Sequence, residues 1–394
     1  MSCQFTRELC LSCADLLSTV PPTLLFATAI AVTIGVLVLS FGLLYLLAPV
    51  PRKPLRTETE YRTIATDGSV TRPSPLPCWL DSIRRNDDTK QNGAAPVTIG
   101  DAAEVYMSVV VPAYNEEERL RGMLVEAVAY LEANFEGEEK EAGLPTLTHR
   151  KNAESSQLND CANSGWEIII VSDGSTDRTV ETALTFAKDY QSSRNTQKPC
   201  AGSIRVVSLE KNRGKGGAVT HGMRHVRGQY VLFADADGAS DFNDLAKLLE
   251  ACQKVEDPFK RGVAVGSRAH LVGSEAVVKR SKLRNFLMHS FHLILRLLTP
   301  PATAAVKDTQ CGFKLFSRAS LPYIVPFMHS EGWIFDVEML MLAEFANIKV
   351  AEVPVGWHEV KGSKLNIIWD SLGMAYGLAL LRAAWSFGIY RRTY

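Results

Sequence analysis

The stretch Val109-Val-Val-Pro-Ala-Tyr-Asn-Glu116 changes from continuous apolar side chains to polar ones within eight residues. It ends an apolar run that begins at Tyr106, and an amphipathic pattern follows from Glu116 to Asn134. A continuous apolar run is typical of a strand that is buried on both faces, and a 3.6-residue pattern is typical of a helix with one buried face. The sequence therefore predicts a strand followed by a helix that covers one face of a sheet.

The same order of strand and helix recurs three times further along the chain. The predicted strands are Glu167–Val171, Ile204–Leu209 and Tyr230–Ala234, and the helices that follow them are Asp177–Tyr190, Gly216–Val226 and Asp241–Cys252. This alternation predicts an α/β fold with a mainly parallel sheet flanked by helices. In such sheets, ligands bind where the strands end.

Three polar clusters follow the first, second and fourth of these strands. They are Pro112-Ala-Tyr-Asn-Glu-Glu117, Ser172-Asp-Gly-Ser-Thr-Asp177 and Asp235-Ala-Asp237. In the second cluster, Asp173 could accept hydrogen bonds from a ribose or a base, although a turn that only caps the next helix has the same residue types. The clusters are expected to meet at one edge of the sheet.

The third cluster delivers two carboxylates, Asp235 and Asp237, to the end of a buried strand, where their mutual repulsion must be offset. A divalent cation that bridges them to a diphosphate would offset it, and hard oxygen ligands suit Mg²⁺ or Mn²⁺. Upstream, the glycines of Asn212-Arg-Gly-Lys-Gly-Gly-Ala218 would let the backbone approach the diphosphate at a helix N-terminus, with Lys215 adding positive charge. A solvated basic helix start is the alternative interpretation of that run.

Composition and charge exclude several classes of protein. The 394 residues are 46% hydrophobic and 22% charged, which is typical of a folded chain and excludes one dominated by disorder. Lys and Arg number 43, as do Asp and Glu, so no global field attracts nucleic acid. The eight cysteines are dispersed, with only Cys10 and Cys13 close together, which argues against a disulfide framework and a zinc site.

The 25 residues from Leu24 to Ala48 contain no charged side chain. As a helix they would be about 37 Å long, which exceeds the roughly 30 Å of a bilayer's hydrocarbon core. Pro49, Pro51 and Arg52 follow instead of a small-residue cleavage site, so an uncleaved membrane anchor is predicted.

The charges beside this apolar run predict its orientation. Before it, Arg7 is balanced by Glu8 and Asp15, whereas three cations crowd the other flank: Arg52, Lys53 and Arg56. Because positively charged flanks stay in the cytosol, the large domain after the run is predicted to be cytosolic.

The predicted domain order is a short N-terminus at 1–23, an anchor at 24–48, a linker or strap at 49–104, a catalytic domain at 105–366 with a polar surface insertion at 137–164, and an amphipathic C-terminal segment at 367–394.

Two segments combine mostly apolar residues with scattered polar and charged ones, as interfacial membrane helices do. They are Leu283–Leu298 and Ile367–Tyr390. A helix that packs its apolar face on the sheet would show the same pattern.

The motifs together resemble the inverting family-2 glycosyltransferases of the GT-A fold, and among them the dolichyl-phosphate β-glucosyltransferases. The residues that carry the resemblance are Val109-Val-Val-Pro-Ala-Tyr-Asn-Glu-Glu117, Val171-Ser-Asp-Gly-Ser-Thr-Asp177, Lys211-Asn-Arg-Gly-Lys-Gly-Gly-Ala218, Ala234-Asp-Ala-Asp-Gly-Ala239, Gly266-Ser-Arg-Ala-His270, Asp308-Thr-Gln-Cys-Gly-Phe-Lys-Leu-Phe316, Trp333-Ile-Phe-Asp-Val-Glu338 and Gly362-Ser-Lys-Leu365. They span residues from about 104 to 366. The resemblance implies a Rossmann-like sheet behind a membrane anchor.

The resemblance also implies roles for individual residues. The uridine and ribose would be held by Pro112, Tyr114, Glu116 and Asp173, and the diphosphate by Lys215, with Asp235 and Asp237 acting through Mg²⁺ or Mn²⁺. Related dolichyl-phosphate mannosyltransferases carry a glutamine as a further metal ligand where Ala239 stands here. A water or phosphate oxygen would fill that position.

The implied reaction transfers glucose from UDP-glucose to dolichyl phosphate with inversion, on the cytosolic face of the endoplasmic reticulum, for lumenal N-glycan precursor assembly. A phosphate monoester has a second pKa of about 6, so the attacking oxygen needs positioning and charge screening more than a general base. The residues implied for these tasks are Arg268, with Arg280 and Arg284 as weaker candidates, Asp308 as a further substrate-binding residue, and Asp336, which would orient sugar hydroxyls or nearby cations.

Two alternatives stay open at this stage. One is another polyprenyl-phosphate glycosyltransferase, such as a mannosyltransferase that uses GDP-mannose. The other is a catalytically silent, membrane-anchored subunit that binds a nucleotide-sugar.

Overall fold

The computed structural model describes residues 21–87, 98–135, 164–193, 202–271, 290, 293–358, 360 and 367–392. These residues form two compact units. The described part of the smaller unit consists of residues 21–48 and Ala383–Tyr390, and the larger unit begins at Pro49 and contains the catalytic motifs.

The apolar run forms one long helix in the smaller unit. Helix α1 spans Pro22–Leu47, and Pro22 stands at its first turn, where a missing N–H costs no hydrogen bond. Its 26 residues have a mean hydropathy of 2.5 in the most apolar window, and none of that window is buried. A helix that is apolar on all sides and this long can cross a membrane, so the prediction of a long apolar helix is confirmed, and its role as a membrane anchor stays a prediction.

The larger unit is built on one mixed sheet. Its strands are β3 (Val105–Ala113), β4 (Trp166–Asp173), β5 (Ser203–Leu209), β6 (Gly228–Ala234), β7 (Val263–Ser267), β8 (Phe313–Ser317) and β9 (Val350–Pro354), preceded by a separate antiparallel pair, β1 (Glu60–Tyr61) and β2 (Ser74–Pro75). The order across the sheet is β5-β4-β3-β6-β8-β7-β9. Only β8 is antiparallel to its neighbours, so the prediction of a mainly parallel sheet is confirmed.

Helices cover both faces of this sheet. After α1, the described helices are α2 (Trp79–Asp87), α3 (Leu120–Phe135), α4 (Thr179–Ser193), α5 (Lys215–Met223), α6 (Leu245–Val255), α7 (Pro301–Ala305), α8 (Leu321–Ile324), α9 (Phe335–Phe345) and α10 (Ile367–Ser386). In β3, Val109 and Val111 pack in the core beside Leu124 of α3, whereas Val110 faces Gly222 of α5. Burial on both faces explains why β3 is a continuous apolar run.

Helix α10 has one buried and one exposed face within the larger unit. Leu378 and Leu381 are buried, whereas Trp369 is 72% and Tyr376 is 57% exposed. Its apolar residues therefore serve partly as core. The other predicted interfacial segment, Leu283–Leu298, lies largely outside the described residues, as does most of the insertion at 137–164.

The segment after α1 covers the edge strand β5. Arg62 forms an antiparallel bridge with Val206, and the indole N–H of Trp79 donates to the Met223 carbonyl at 2.6 Å. The Trp79 side chain is buried. Residues 52–83 thus pack against the rest of the larger unit at several points.

Two buried histidines, one in α5 and one in the turn after it, lie beneath this segment. Because of their burial, we expect the stability of the protein to fall in acid. His221 Nε2 lies 2.9 Å from the Glu58 carbonyl, and His225 Nδ1 lies 2.8 Å from that of Pro77. Burial lowers the pKa of His221 to about 4 and that of His225 to about 3. Because the unfolded state binds more protons below its ordinary histidine pKa of about 6.5, stability is lost as the pH falls from about 6.5 towards these values.

The His221→Asn variant is therefore expected to lose less stability on acidification than the wild type. The difference in the free energy of unfolding between pH 7.5 and pH 4.5 should be smaller in the variant by about 2 to 3 kcal/mol, as measured by chemical unfolding in detergent. His270→Asn, at an exposed position, is the matched control. An equal acid-induced loss in the wild type and His221→Asn would contradict the burial argument.

Candidate active site

The loops that follow β3 and β4 hold each other at the carboxyl edge of the sheet. The Asn115 N–H donates to Ser175 Oγ at 3.1 Å, and the Glu116 N–H donates to Thr179 Oγ1 at 2.7 Å. In return, Asn115 Oδ1 accepts the N–H of Thr176 at 2.7 Å. Asn115 adopts a positive φ of 55°, which asparagine tolerates better than most residues. The structure thus brings the first two polar clusters together.

The residues predicted to bind uridine occupy different environments in this region. Pro112 lies within β3 opposite Val171, and Tyr114 is 40% exposed just beyond the strand. The Glu116 carboxylate accepts two hydrogen bonds from Arg119, at 2.7 and 2.5 Å. Tyr114 is therefore the most exposed side chain of this group, and the proposed uridine contacts stay predictions.

Asp173 at the end of β4 supports the loop that follows β5. Its side chain is almost fully buried, and Oδ1 accepts the Arg213 N–H at 2.7 Å. Burial raises the pKa of Asp173 to about 6. Gly174 has a φ of 66°, and a Cβ atom there would lie 2.6 Å from the Asn212 nitrogen. Only glycine allows this close approach between the two loops.

The glycine-rich run begins α5 and packs closely against the start of α9 and the turn before it. A Cβ atom at Gly216 would lie 2.5 Å from Phe335 Cβ, so the glycine is required for this packing. From the first residue of the helix, Lys215 Nζ reaches the two carboxylate oxygens of Asp235, at 2.7 and 3.0 Å. Burial opposes a charge here, but Asp235 keeps the pKa of Lys215 above its ordinary value.

Asp235 and Asp237 follow β6 and lie beside this lysine. The Asp235 N–H donates to the Gly312 carbonyl at 3.0 Å, and a Cβ atom at Gly312 would overlap the Asp235 carboxylate. Asp237 Oδ1 accepts the Ala239 N–H at 3.0 Å. Burial and the neighbouring Asp235 raise the pKa of Asp237. Two carboxylates are thus held close enough for their charges to oppose each other.

This arrangement fits a divalent cation. The donors are hard oxygens, Gly312 makes room for one of them, and a cation would offset the burial and the neighbouring Asp235 charge that together raise the pKa of Asp237. Among the described residues, no cluster of three or more His, Cys, Asp and Glu side chains is found. Oxygens of a diphosphate or of water would therefore have to complete the coordination.

Arg268, after β7, is locked to Asp308. Its Nε and Nη2 donate to the two carboxylate oxygens at 2.7 and 2.9 Å, and its backbone N–H donates to the same group at 2.9 Å. Burial opposes ionisation of Asp308, yet Arg268 keeps the pKa of that carboxyl below its ordinary value. Asp308, which the resemblance assigns to substrate, is thus paired with Arg268 in the structure, and its contact with substrate stays a prediction. The guanidinium also lies 5.8 Å from the centre of the Trp357 ring.

Asp336 lies at the base of the site in a buried ion pair with Lys314. Both side chains are buried, and Lys314 Nζ also donates to the Cys311 carbonyl at 2.5 Å. The neighbouring Glu338 accepts the N–H groups of His329 and Ser330 at 2.9 and 2.7 Å, which fixes the turn before α9. Neither carboxylate is presented openly to a substrate.

Three charged residues near the site were not predicted from the sequence. Lys314 belongs to β8, and a lysine within an apolar strand is itself a signal of a buried partner. Arg213 and Glu331 form an ion pair beside α5. Nothing in the local sequence of either residue indicates the other, because 118 positions separate them. Arg280 and Arg284, the two weaker candidates for the acceptor phosphate, lie outside the described residues.

The sheet order, the acidic pair after β6 and the glycine-rich start of α5 define a glycosyltransferase of the GT-A fold. Residues 153–322 match the model of glycosyl transferase family 2. A dolichyl-phosphate beta-glucosyltransferase of Saccharomyces cerevisiae is 40% identical over 363 residues, covering 90% of this chain and 92% of the relative. The chain belongs to the dolichyl-phosphate beta-glucosyltransferases.

Two further proteins show the range of similarity. A dolichyl-phosphate beta-glucosyltransferase of Drosophila melanogaster is 40% identical over 295 residues, covering 75% of this chain and 79% of the relative. Among solved structures, glucosyl-3-phosphoglycerate synthase from Mycobacterium tuberculosis, in complex with Mn²⁺ and UDP-glucose, is 17% identical with a TM-score of 0.45. It covers 71% of this chain and 79% of that one.

Proposed function

We propose that this protein transfers glucose from UDP-glucose to dolichyl phosphate, giving dolichyl β-D-glucosyl phosphate and UDP, as the glucose donor for lumenal N-glycan precursor assembly. The observation that carries the proposal is the 40% identity that spans 92% of a relative named for this activity. The site adds a physical reason, since its charges suit a diphosphate donor and an anionic acceptor.

The donor diphosphate would lie between α5 and the end of β6. Lys215 contributes a positive charge at the helix N-terminus, where exposed backbone N–H groups also favour anions. Asp235 and Asp237 would hold Mg²⁺ or Mn²⁺, which when bound neutralises charge on the departing diphosphate. Tyr114, which is 40% exposed, would contact the base, and Asp173 supports the loop that leads to Lys215.

The acceptor phosphate would attack the anomeric carbon of glucose directly. One bond forms from a phosphate oxygen to C1, the bond from C1 to the UDP oxygen breaks, and UDP leaves with the electron pair. Because the attacking oxygen is already anionic near neutral pH, no general base is required. The buried ion pair of Asp336 with Lys314 supports this, since a carboxylate so engaged is poorly placed to accept a proton from a hydroxyl.

Arg268 is the residue proposed to screen the acceptor phosphate. Asp308 holds its guanidinium in one orientation, which reduces the entropy lost on binding a phosphate. The membrane helix would keep this site near a lipid that cannot leave the bilayer. The cations Arg52, Lys53 and Arg56 favour the cytosolic side of the endoplasmic reticulum for the catalytic unit.

The Arg268→Lys variant tests this assignment. Lysine keeps the charge but cannot form the two-point contact with Asp308, so the KM for dolichyl phosphate should rise about tenfold while UDP affinity stays within about twofold. Arg261→Lys is a matched control, because Arg261 precedes the same strand β7 and pairs with Asp257. An unchanged KM for dolichyl phosphate in Arg268→Lys would contradict the role.

A donor screen tests the proposed function as a whole. Purified full-length protein with dolichyl phosphate and Mg²⁺ is incubated with radiolabelled UDP-glucose or GDP-mannose, and the lipid product is extracted. Glucose should enter the lipid and mannose should not. Incorporation of mannose alone would favour a mannosyltransferase, whereas UDP-glucose binding without any product would favour a silent subunit.

A further inference from the structure

The loop between β5 and α5 is held from two sides by residues distant in the chain. It comprises residues 210–214 and leads directly to Lys215, whose ammonium contacts Asp235. On one side lies the turn before α9. On the other lies the segment of residues 52–58, called here the juxtamembrane segment, which begins five residues after Leu47 at the end of α1.

Arg213 connects the loop to both neighbours. Its Nε donates to Glu331 Oε1 at 2.8 Å, and its Nη2 donates to the Arg52 carbonyl at 2.7 Å. Only 3% of the Arg213 side chain is exposed, so both contacts compensate for the loss of water around a buried charge. The backbone N–H of the same residue is the donor that binds Asp173.

Glu58 fixes the beginning of the loop. Its carboxylate is completely buried and accepts the Glu210 N–H at 3.0 Å and the Leu55 N–H at 2.8 Å. Two hydrogen bonds from Arg52, at 2.9 and 2.6 Å, neutralise it. Burial opposes the ionised form, but Arg52 and the backbone donors hold the pKa of Glu58 below its ordinary value. One carboxylate therefore joins the juxtamembrane segment to the loop.

Together these contacts leave the loop little freedom. Glu58 binds the backbone of residue 210 at the start of the loop, and the Arg213 side chain binds Glu331 near its end. Within α5, the Gly217 N–H donates to the Glu331 carbonyl at 3.1 Å. The start of α5 is where an anion would meet backbone N–H groups and Lys215. A displacement of about 1 Å there would weaken every contact to a diphosphate at once.

We infer that the juxtamembrane segment is a positioning element of the nucleotide site, with Glu58 and Arg213 holding the 210–214 loop so that Lys215 and the α5 N-terminus face the donor diphosphate. The inference rests on the proposed function, since it concerns the same site. It gives the segment that follows the membrane helix a role in donor binding beyond that of a linker.

The test compares UDP binding in full-length variants by isothermal titration with Mg²⁺. In Glu58→Gln only one side-chain oxygen remains to accept the hydrogen bonds that two carboxylate oxygens accept now, and Arg52 loses its counter-charge. The loop should be held less firmly, so the Kd for UDP should rise about tenfold. The KM for dolichyl phosphate should stay within about twofold, because the Arg268 pair is not touched. Glu60→Gln, two residues further along and half-buried, is the matched control and should bind UDP as the wild type does.

A second variant keeps the inference falsifiable if Glu58→Gln does not fold. Arg52 is 32% exposed, and Arg52→Lys keeps a positive charge beside the buried Glu58 while losing the two-point contact, so it should fold and should raise the Kd for UDP by about three- to tenfold. UDP affinities within twofold of the wild type in both variants would overturn the inference. A wild-type protein that binds no UDP would overturn the proposed function itself, which is a distinguishable outcome.

Discussion

Replacing Asp237 by Asn is expected to lower kcat about 10³-fold without changing the fold. The amide is isosteric and keeps an oxygen for the Ala239 N–H, so the turn after β6 should survive. What is lost is a negative hard ligand, and metal-bound charge stabilisation is worth several kcal/mol, with about 1.4 kcal/mol for each tenfold in rate. Steady-state transfer of glucose to lipid, with circular dichroism as the check on folding, measures the effect.

Asp241→Asn is the matched control for this variant. Asp241 lies four residues further along, is exposed, and caps a short helical turn by accepting the Asn243 N–H at 3.0 Å. The Asp241→Asn change should lower the free energy of unfolding by about 1 kcal/mol or less and leave kcat unchanged. If Asp237→Asn retained turnover equal to Asp241→Asn, the acidic pair would have no part in holding a catalytic cation.

Replacing Lys215 by Met is expected to lower kcat/KM for UDP-glucose about 10²-fold. The methionine preserves much of the side-chain volume beside Phe233 and Trp333, whose rings lie 5.3 and 5.8 Å from the ammonium. It removes the positive charge that offsets Asp235 and that would meet the diphosphate. The loss should therefore fall on the donor, with the KM for dolichyl phosphate little changed.

Lys254→Met provides the comparison, because Lys254 forms an exposed ion pair with Glu250 on α6. Exposed pairs contribute about 0 to 1 kcal/mol, so this variant should resemble the wild type in both stability and rate. Equal activity of Lys215→Met and Lys254→Met would contradict a role for Lys215 in donor binding.

The order of strands and helices was predictable because each strand in the centre of the sheet is buried on both faces. Four apolar runs gave four parallel strands, β3 to β6, with ends displaced by only a few residues. The last three strands of the chain, β7, β8 and β9, were not predicted. Strand β8, Phe313–Ser317, is short and contains Lys314. Its sequence therefore shows neither the continuous apolar run of a fully buried strand nor the apolar–polar alternation of an amphipathic one.

The candidate site was predictable where its residues lie next to each other in sequence, as in Asp235-Ala-Asp237. Contacts over long sequence separations were not. The sequence indicated Arg268 and Asp308 separately, but their pairing depends on how β7 and the loop before β8 meet. The contact of Arg213 with the Arg52 carbonyl likewise depends on a backbone position, which residue types do not encode.

The anomeric configuration of the product tests the central claim most directly. Full-length protein is incubated with UDP-α-glucose, dolichyl phosphate and Mg²⁺, and the purified lipid is examined by proton NMR while released UDP is counted. Direct attack by the phosphate oxygen predicts a β-linked glucosyl phosphate, with one UDP released for each lipid formed. An α-linked product, or UDP release without a glucosylated lipid, would contradict it.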